Sequence, residues 1–151
     1  MDIAIRAAMP DDTRAIAELL GLLMAEHHVA PTSLEQRSNA IAYAAQLPGT
    51  WFFVAIVNGT VAGILQLNER YSTWSSSHYG YIEDFCVATA LRSHGVGARF
   101  LEYVAAVAQE RGWTRLDLDV SHSLPESIRF YERHGYSDTG SLYYRKELTA
   151  Q

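Results

Sequence analysis

The stretch WFFVAIV-NG-TVAGILQL, Trp51 to Leu67, constrains the fold more than any other. Two apolar runs flank Asn58-Gly59, a dipeptide that accepts the positive φ angles of a tight turn, and together they predict a β-hairpin. Before it, DIAIRAA (Asp2 to Ala8) alternates as a short strand. The segment Pro10 to His28 has apolar residues at helical spacing, and Pro10, Asp11 and Asp12 suit a helix start. Residues Thr32 to Leu47 read as a second helix, opened by Thr32 or Ser33. After the hairpin, the polar and aromatic Glu69 to Gly80 reads as a loop and Tyr81 to Ala88 as a strand. Gly95 to Gly112 reads as a long helix, Trp113 to Val120 as a strand and Ser123 to Tyr136 as a short helix. Ser141 to Leu148 closes the chain as a strand. The order β-α-α-β-β-β-α-β-α-β joins a hairpin to a later β-α-β unit. It predicts a mixed sheet with helices on its faces, in the α/β or α+β class.

At 151 residues, 48% hydrophobic and 19% charged, the chain suits a single globular domain over residues 1–151. Its one cysteine, Cys86, rules out a disulfide framework and a thiolate metal cluster, and no metal ligands are assigned. A formal charge of −5 argues against nucleic acid as the main partner, since phosphate binding needs clustered Lys and Arg. No apolar run matches a membrane span, and Met1 to Pro10 lacks the layout of a signal peptide, so the expectation is a cytoplasmic protein without a membrane partner.

The segment ALRSHGVGARFLEYVAAVAQERG, Ala90 to Gly112, carries the main functional signal. Gly95 and Gly97 lack Cβ atoms, so the backbone can turn sharply and a ligand can approach it. The helix that follows has N–H groups without intrahelical partners and a partial positive charge at its start. This is a site for phosphate oxygens, with Arg92 either adding a charged contact or bracing the turn. The missing Gly-Lys-Ser/Thr excludes a P-loop. Phe100, where a third glycine would stand, disfavours a dinucleotide fingerprint.

A strand with paired acids, YIEDFCV, precedes this turn, and SIRFYERHGY follows one strand later. Here the chain resembles the GNAT superfamily of N-acetyltransferases, through Arg92-x-x-Gly95-x-Gly97 and the later Phe130-Tyr131-Glu132-Arg133-His134-Gly135-Tyr136. The run Ile82-Glu83-Asp84-Phe85 is similar to the polyamine and small-amine branch. The resemblance implies a mixed, mostly antiparallel twisted sheet of about six to seven strands with about four helices, and a homodimer. It implies acetyl-CoA with its pyrophosphate on the backbone amides of Arg92, Ser93, His94, Gly95, Val96, Gly97 and Ala98. The pantetheine arm would lie along Phe85, Cys86 and Val87, where that strand splays from LDLDV. Cys86 itself reads as a small buried hydrophobe.

Transfer of an acetyl group to an amine needs a neutral nitrogen, and a carboxylate can take the proton and hold the cation beforehand. By simple alternation Tyr81, Glu83, Phe85 and Val87 share one face and Asp84 the other, unless a bulge re-aims one of them. The resemblance implies Glu83 as general base and Asp84 as amine anchor; His122 is the alternative base. It implies Tyr131 as the acid for the departing thiolate, and the Val87 amide suits the oxyanion. Ser123 and Glu126 fit a capping box for the helix that aims Tyr131, and Gly135 suits its left-handed end. Leu124 stands where many relatives carry Asn. Aromatic residues around the loop, Trp74 and Tyr81 among them, can receive an ammonium by cation–π contact, or pack an interface or sheet edge. The resulting expectation is N-acetylation of a small primary amine. The alternatives are acetylation of a protein lysine or N-terminus, and a catalytically silent acyl-CoA-binding regulatory domain.

Overall fold

The structure is a computed structural model describing residues 1–149. The chain forms two compact units, Met1–Leu118 and the segment from Asp119 onward. The first holds β1 (Ile3–Ala7), α1 (Thr13–Glu26), α2 (Leu34–Ala44), β2 (Thr50–Val57), β3 (Thr60–Ser72), β4 (Ser77–Val87), α3 (Val96–Glu110) and β5 (Leu116–Asp117). The second holds α4 (Pro125–Arg133). The sheet runs in the order β1-β2-β3-β4-β5; all pairs are antiparallel except the parallel β4 and β5. Among the described residues no helix is long and apolar enough to cross a membrane.

The hairpin forms as its turn dipeptide requires, with Asn58 at φ 50° and Gly59 at φ 82°. Ser33 opens α2, its hydroxyl accepting from the Gln36 amide at 3.1 Å. Asp12 is buried ahead of α1, where its carboxylate accepts from Arg6 at 2.7 and 3.1 Å and from the Met9 amide at 2.7 Å, tying β1 to the helix start. On one sheet face Ile16, Ala17 and Ile41 of the first two helices pack on Phe52, Val54, Ile64 and Cys86. On the other face α3 seats Phe100, wholly buried, edge-on to Phe85 at 5.5 Å, and Tyr103 edge-on to Phe53 at 5.4 Å. Truncating a side chain such as Phe100 to Ala typically costs about 3–5 kcal/mol.

Four sequence expectations are corrected. Glu69 to Gly80 is not a loop: β3 and β4 extend into it, pairing Tyr71 with His78 and Ser72 with Ser77, because Tyr, Ser and Thr tolerate the pleated backbone despite their polarity. The strand expected over Trp113 to Val120 shrinks to Leu116–Asp117. Ser141 to Leu148 forms no strand and is exposed, Tyr144 at 85%, so the sheet has five strands rather than six or seven. Ser123 does not cap α4: the N-cap is Leu124, without a side-chain bond, and the Ser123 hydroxyl pairs with that of Ser121 at 2.7 Å. Pro125 supplies the start instead, since its fixed φ suits the first helical turn.

Candidate active site

The acids owe their placement to an extra residue. Gln66 of β3 faces Glu83 and Ile64 faces Cys86, so Leu65 alone spans Asp84 and Phe85. This is a β-bulge, and Asp84 sits in it at φ 51°, in left-handed backbone that Asp tolerates better than most residues. Phe52, Gln66 and Glu83 lie in register across three strands, which sets Glu83 on the face covered by α1 and α2. Phe85 turns to α3. Glu83 and Phe85 therefore lie on opposite faces, and simple alternation fails here because the bulge shifts its phase. Burial pushes the Asp84 carboxyl above its ordinary pKa, with a smaller opposing pull from His27, just beyond α1.

Arg70 shares Glu83's side. Its Nη2 lies 3.9 Å from Glu83 Oε1, within ion-pair range but too long for a hydrogen bond. Its guanidinium stacks 3.8 Å from the centre of the Tyr81 ring, and Arg115 stacks likewise over Tyr79 at 3.8 Å. Trp74 is 99% exposed in the β3–β4 turn. Six residues of strand separate Ser77 from Glu83, so that turn is roughly 20 Å from the acids at the usual rise per residue.

Beyond Val87 the chain makes a helical turn at Thr89–Leu91, extends at Arg92, and enters α3 through two left-handed residues, Ser93 at φ 64° and Gly95 at φ 85°. The backbone N–H groups of Gly95, Val96, Gly97 and Ala98 lie at the start of α3, where a helix leaves its first N–H groups without i−4 partners. They gather at the positive end of a 15-residue helix, as a nest for an anion. A Cβ placed on Gly95 would touch nothing within 4 Å, so the approach is open. The Arg92 side chain braces the turn: Nε donates to the Val87 carbonyl at 2.9 Å and Nη2 to Glu26 Oε1 at 2.6 Å. The His94 ring contacts the Arg92 carbonyl at 2.8 Å.

β5 pairs with β4 through Gly80 with Leu116 and Tyr81 with Asp117. Cys86 lies in the α1/α2 core, its thiol pushed up to about 11 by burial, and serves as packing.

In the second unit, Tyr131 of α4 packs edge-on to Phe130 at 5.4 Å and to Tyr136 at 5.8 Å. Burial, then the Tyr136 and Asp119 charges, hold its phenol well above the usual tyrosine range. Gly135 takes the left-handed position at φ 90°, and the His134 ring contacts the Phe130 carbonyl at 2.8 Å. His122 is exposed, and Leu124 is half-buried at the helix start. Sequence reasoning missed Glu26 and Arg70. Neither carries a local signal, because each matters only through a partner distant along the chain.

A left-handed turn thus opens a long helix at the end of an acid-bearing strand. The family model described as acetyltransferase (GNAT) family matches residues 16–136, and the chain belongs to that family, whose members use acetyl-CoA as donor. It is an acetyltransferase. The chain is 23% identical to the aminoalkylphosphonate N-acetyltransferase of Salmonella typhimurium, over 89% of this chain and 85% of that protein. It is 29% identical to the glucosamine 6-phosphate N-acetyltransferase of Candida albicans, over 74% and 75%. The crystal structure of glucosamine-6-phosphate N-acetyltransferase from Arabidopsis thaliana superposes with a TM-score of 0.78 at 22% identity, covering 99% of this chain and all of the other, which establishes the shared fold.

Proposed function

We propose that the chain transfers an acetyl group from acetyl-CoA to the primary amine of a small molecule. The observation that carries this reading is the left-handed backbone at Ser93 and Gly95 that opens the 15-residue α3, whose first N–H groups suit an anion such as a diphosphate. On the family's pattern the pantetheine arm runs along β4 from Phe85 to Val87, pairing as an added strand would. The bound donor supplies an activated acetyl thioester, whose C–S bond breaks as the C–N bond forms.

Glu83 has the exposure and position of a base. It is 41% accessible and precedes Asp84 in the β4 bulge, where a cationic amine would meet its carboxylate. Deprotonating an alkylammonium of pKa ~10.4 at neutral pH costs about 4–5 kcal/mol, and Glu83 accepts that proton directly or through water. Asp84 holds the ammonium beforehand. On the family's pattern, Tyr131 returns a proton to the departing sulfur. Both curated relatives are named for small amine-bearing substrates, which supports a small molecule over a protein acceptor.

Two measurements test the reading. Saturating acetyl-CoA should raise the melting temperature, and release of free thiol should depend on an added amine. In Glu83→Gln the rate loss should be greatest at low pH, where neutral amine is scarcest. A loss by the same factor at every pH would make Glu83 a positioning group, and absence of a thermal shift would remove the donor assignment.

A further inference from the structure

Arg37 of α2 is half-buried, and its guanidinium meets backbone carbonyls. Nε donates to the Ala17 carbonyl of α1 at 2.7 Å, and Nη1 donates to the Thr32 carbonyl. The group lies against Gly21, where a Cβ would stand 2.8 Å from Nη2 and 2.9 Å from Cζ. Ala17 and Gly21 are both buried and one helical turn apart, so α1 offers a notch that the guanidinium fills. Between the two helices the chain has little slack. α1 ends in a Schellman motif: His28 takes the left-handed position at φ 58°, its N–H donates to the Ala25 carbonyl at 3.0 Å, and the Val29 N–H donates to the Met24 carbonyl at 2.9 Å. The Met24 and Ala17 carbonyls lie about two turns apart on α1, roughly 10 Å. The chain from Val29 to Thr32 reaches at most about 11 Å, and Pro31 stiffens it.

We infer that residues 27–33 form a taut strap, and that Arg37, by pinning its far end, positions the end of α1 for binding of the acceptor amine. This rests on the reading in which Glu83 and Asp84 receive that amine. Glu26 and His27 stand at the pinned helix end. Glu26 accepts from Arg92 at 2.6 Å, and the His27 charge acts on Asp84. The first two helices also cover the sheet face on which Glu83 lies. A shift of Thr32 is therefore passed through a strap without slack to the Schellman turn, and from there to the residues beside the acids. Arg37 touches no reacting group, so its loss weakens acceptor binding and leaves the chemical step in place.

The test compares wild type with Arg37→Gln, Arg37→Lys and Gly21→Ala. The last keeps the charge and displaces the guanidinium, the flexible end of its side chain, which gives way before the helix backbone does. Hydrogen exchange of the Val29 amide should quicken about 10-fold in Arg37→Gln and Gly21→Ala, the scale of one charged hydrogen bond. Arg37→Lys, without the two-pronged donor, should restore part of the protection. Thiol release with propylamine, 2-phenylethylamine and glycinamide should show the amine KM raised about 10-fold in the same two variants, with kcat and the KM for acetyl-CoA changed less. Unchanged Val29 exchange, or a fall in kcat with the amine KM unmoved, would overturn the inference. If Arg37→Gln melts early, Gly21→Ala decides, since alanine suits a helix interior better than glycine. Normal turnover by all variants sinks this inference alone. No turnover of any amine together with no acetyl-CoA thermal shift sinks the reading beneath it, and Val29 exchange then still decides whether Arg37 pins the strap.

Discussion

Arg92 donates to Glu26 across 2.6 Å, joining the turn before α3 to the last residue of α1, and its Nε also holds the Val87 carbonyl. One guanidinium therefore fixes the end of β4, the anion nest and the helix beside the acids. The ion pair is partly exposed and adds little to global stability, on the order of 0–1 kcal/mol. Its effect is local order. Arg92→Gln should raise the KM for acetyl-CoA about 10-fold, the scale of one charge-assisted hydrogen bond, and Glu26→Gln should raise it less. Steady-state kinetics at varied acetyl-CoA would show this. A Glu26 variant that binds acetyl-CoA more tightly would mean that Arg92, once released, reaches the anion itself.

Asp84 combines a left-handed backbone with a buried carboxyl, and both weigh on stability. Because burial raises its native pKa, the unfolded chain releases this proton at a lower pH than the folded one. The native state is penalised once pH exceeds the unfolded value of about 3.9, and the full penalty holds above the raised native value. Asp84→Asn removes that charge and keeps a residue suited to positive φ. It should raise the melting temperature at pH 7, and the gain should shrink as pH falls below 4. Acetyl transfer should fall in the same variant. A melting temperature lowered at pH 7 would contradict the account.

Local signals were legible and register was not. Asn58-Gly59 and Gly95 announce their positive φ angles in the sequence, so the hairpin and the nest were readable from a few residues. The bulge at Asp84 depends on Leu65 alone facing two residues of β4, a fact about pairing that the run YIEDFCV does not contain. Glu26 and Arg92 are 66 positions apart. Polarity misled at Glu69 to Gly80, where cross-strand pairs such as Tyr71 on His78 at 5.0 Å sustain the ribbon. Ser141 to Leu148, read as the closing strand, forms none.

Gly80 limits how β5 meets β4. A Cβ there would stand 2.7 Å from Leu116 Cδ2 and 2.8 Å from Trp113 Cζ3, and the indole cannot retreat because its Nε1 donates to Glu69 Oε2 at 2.9 Å. Gly80→Ala should cost about 1–3 kcal/mol by overpacking, measured by denaturant unfolding. It should also speed hydrogen exchange of the Gly80 amide, which donates to the Arg115 carbonyl at 3.0 Å. Unchanged unfolding and exchange would show that β5 shifts freely against β4.

Tyr131 is held neutral by burial and by the Tyr136 and Asp119 charges, so its phenol keeps a proton to give across the neutral range. Asp119, Tyr131 and Tyr136 all belong to the same compact unit, which makes this a property built into that unit. A general acid of this kind contributes about 10²–10⁴-fold, and Tyr131→Phe should lower kcat by at least about 100-fold while changing acetyl-CoA affinity less than threefold. Acid help matters in proportion to the basicity of the leaving thiol. An acetyl thioester of an aromatic thiol, which departs readily as the anion, should therefore react almost equally with the variant and the parent protein. No basic limb from this residue is expected in the pH–rate profile below about pH 10. If Tyr131→Phe is equally impaired with both classes of thioester, the hydroxyl positions the donor and does not protonate the sulfur.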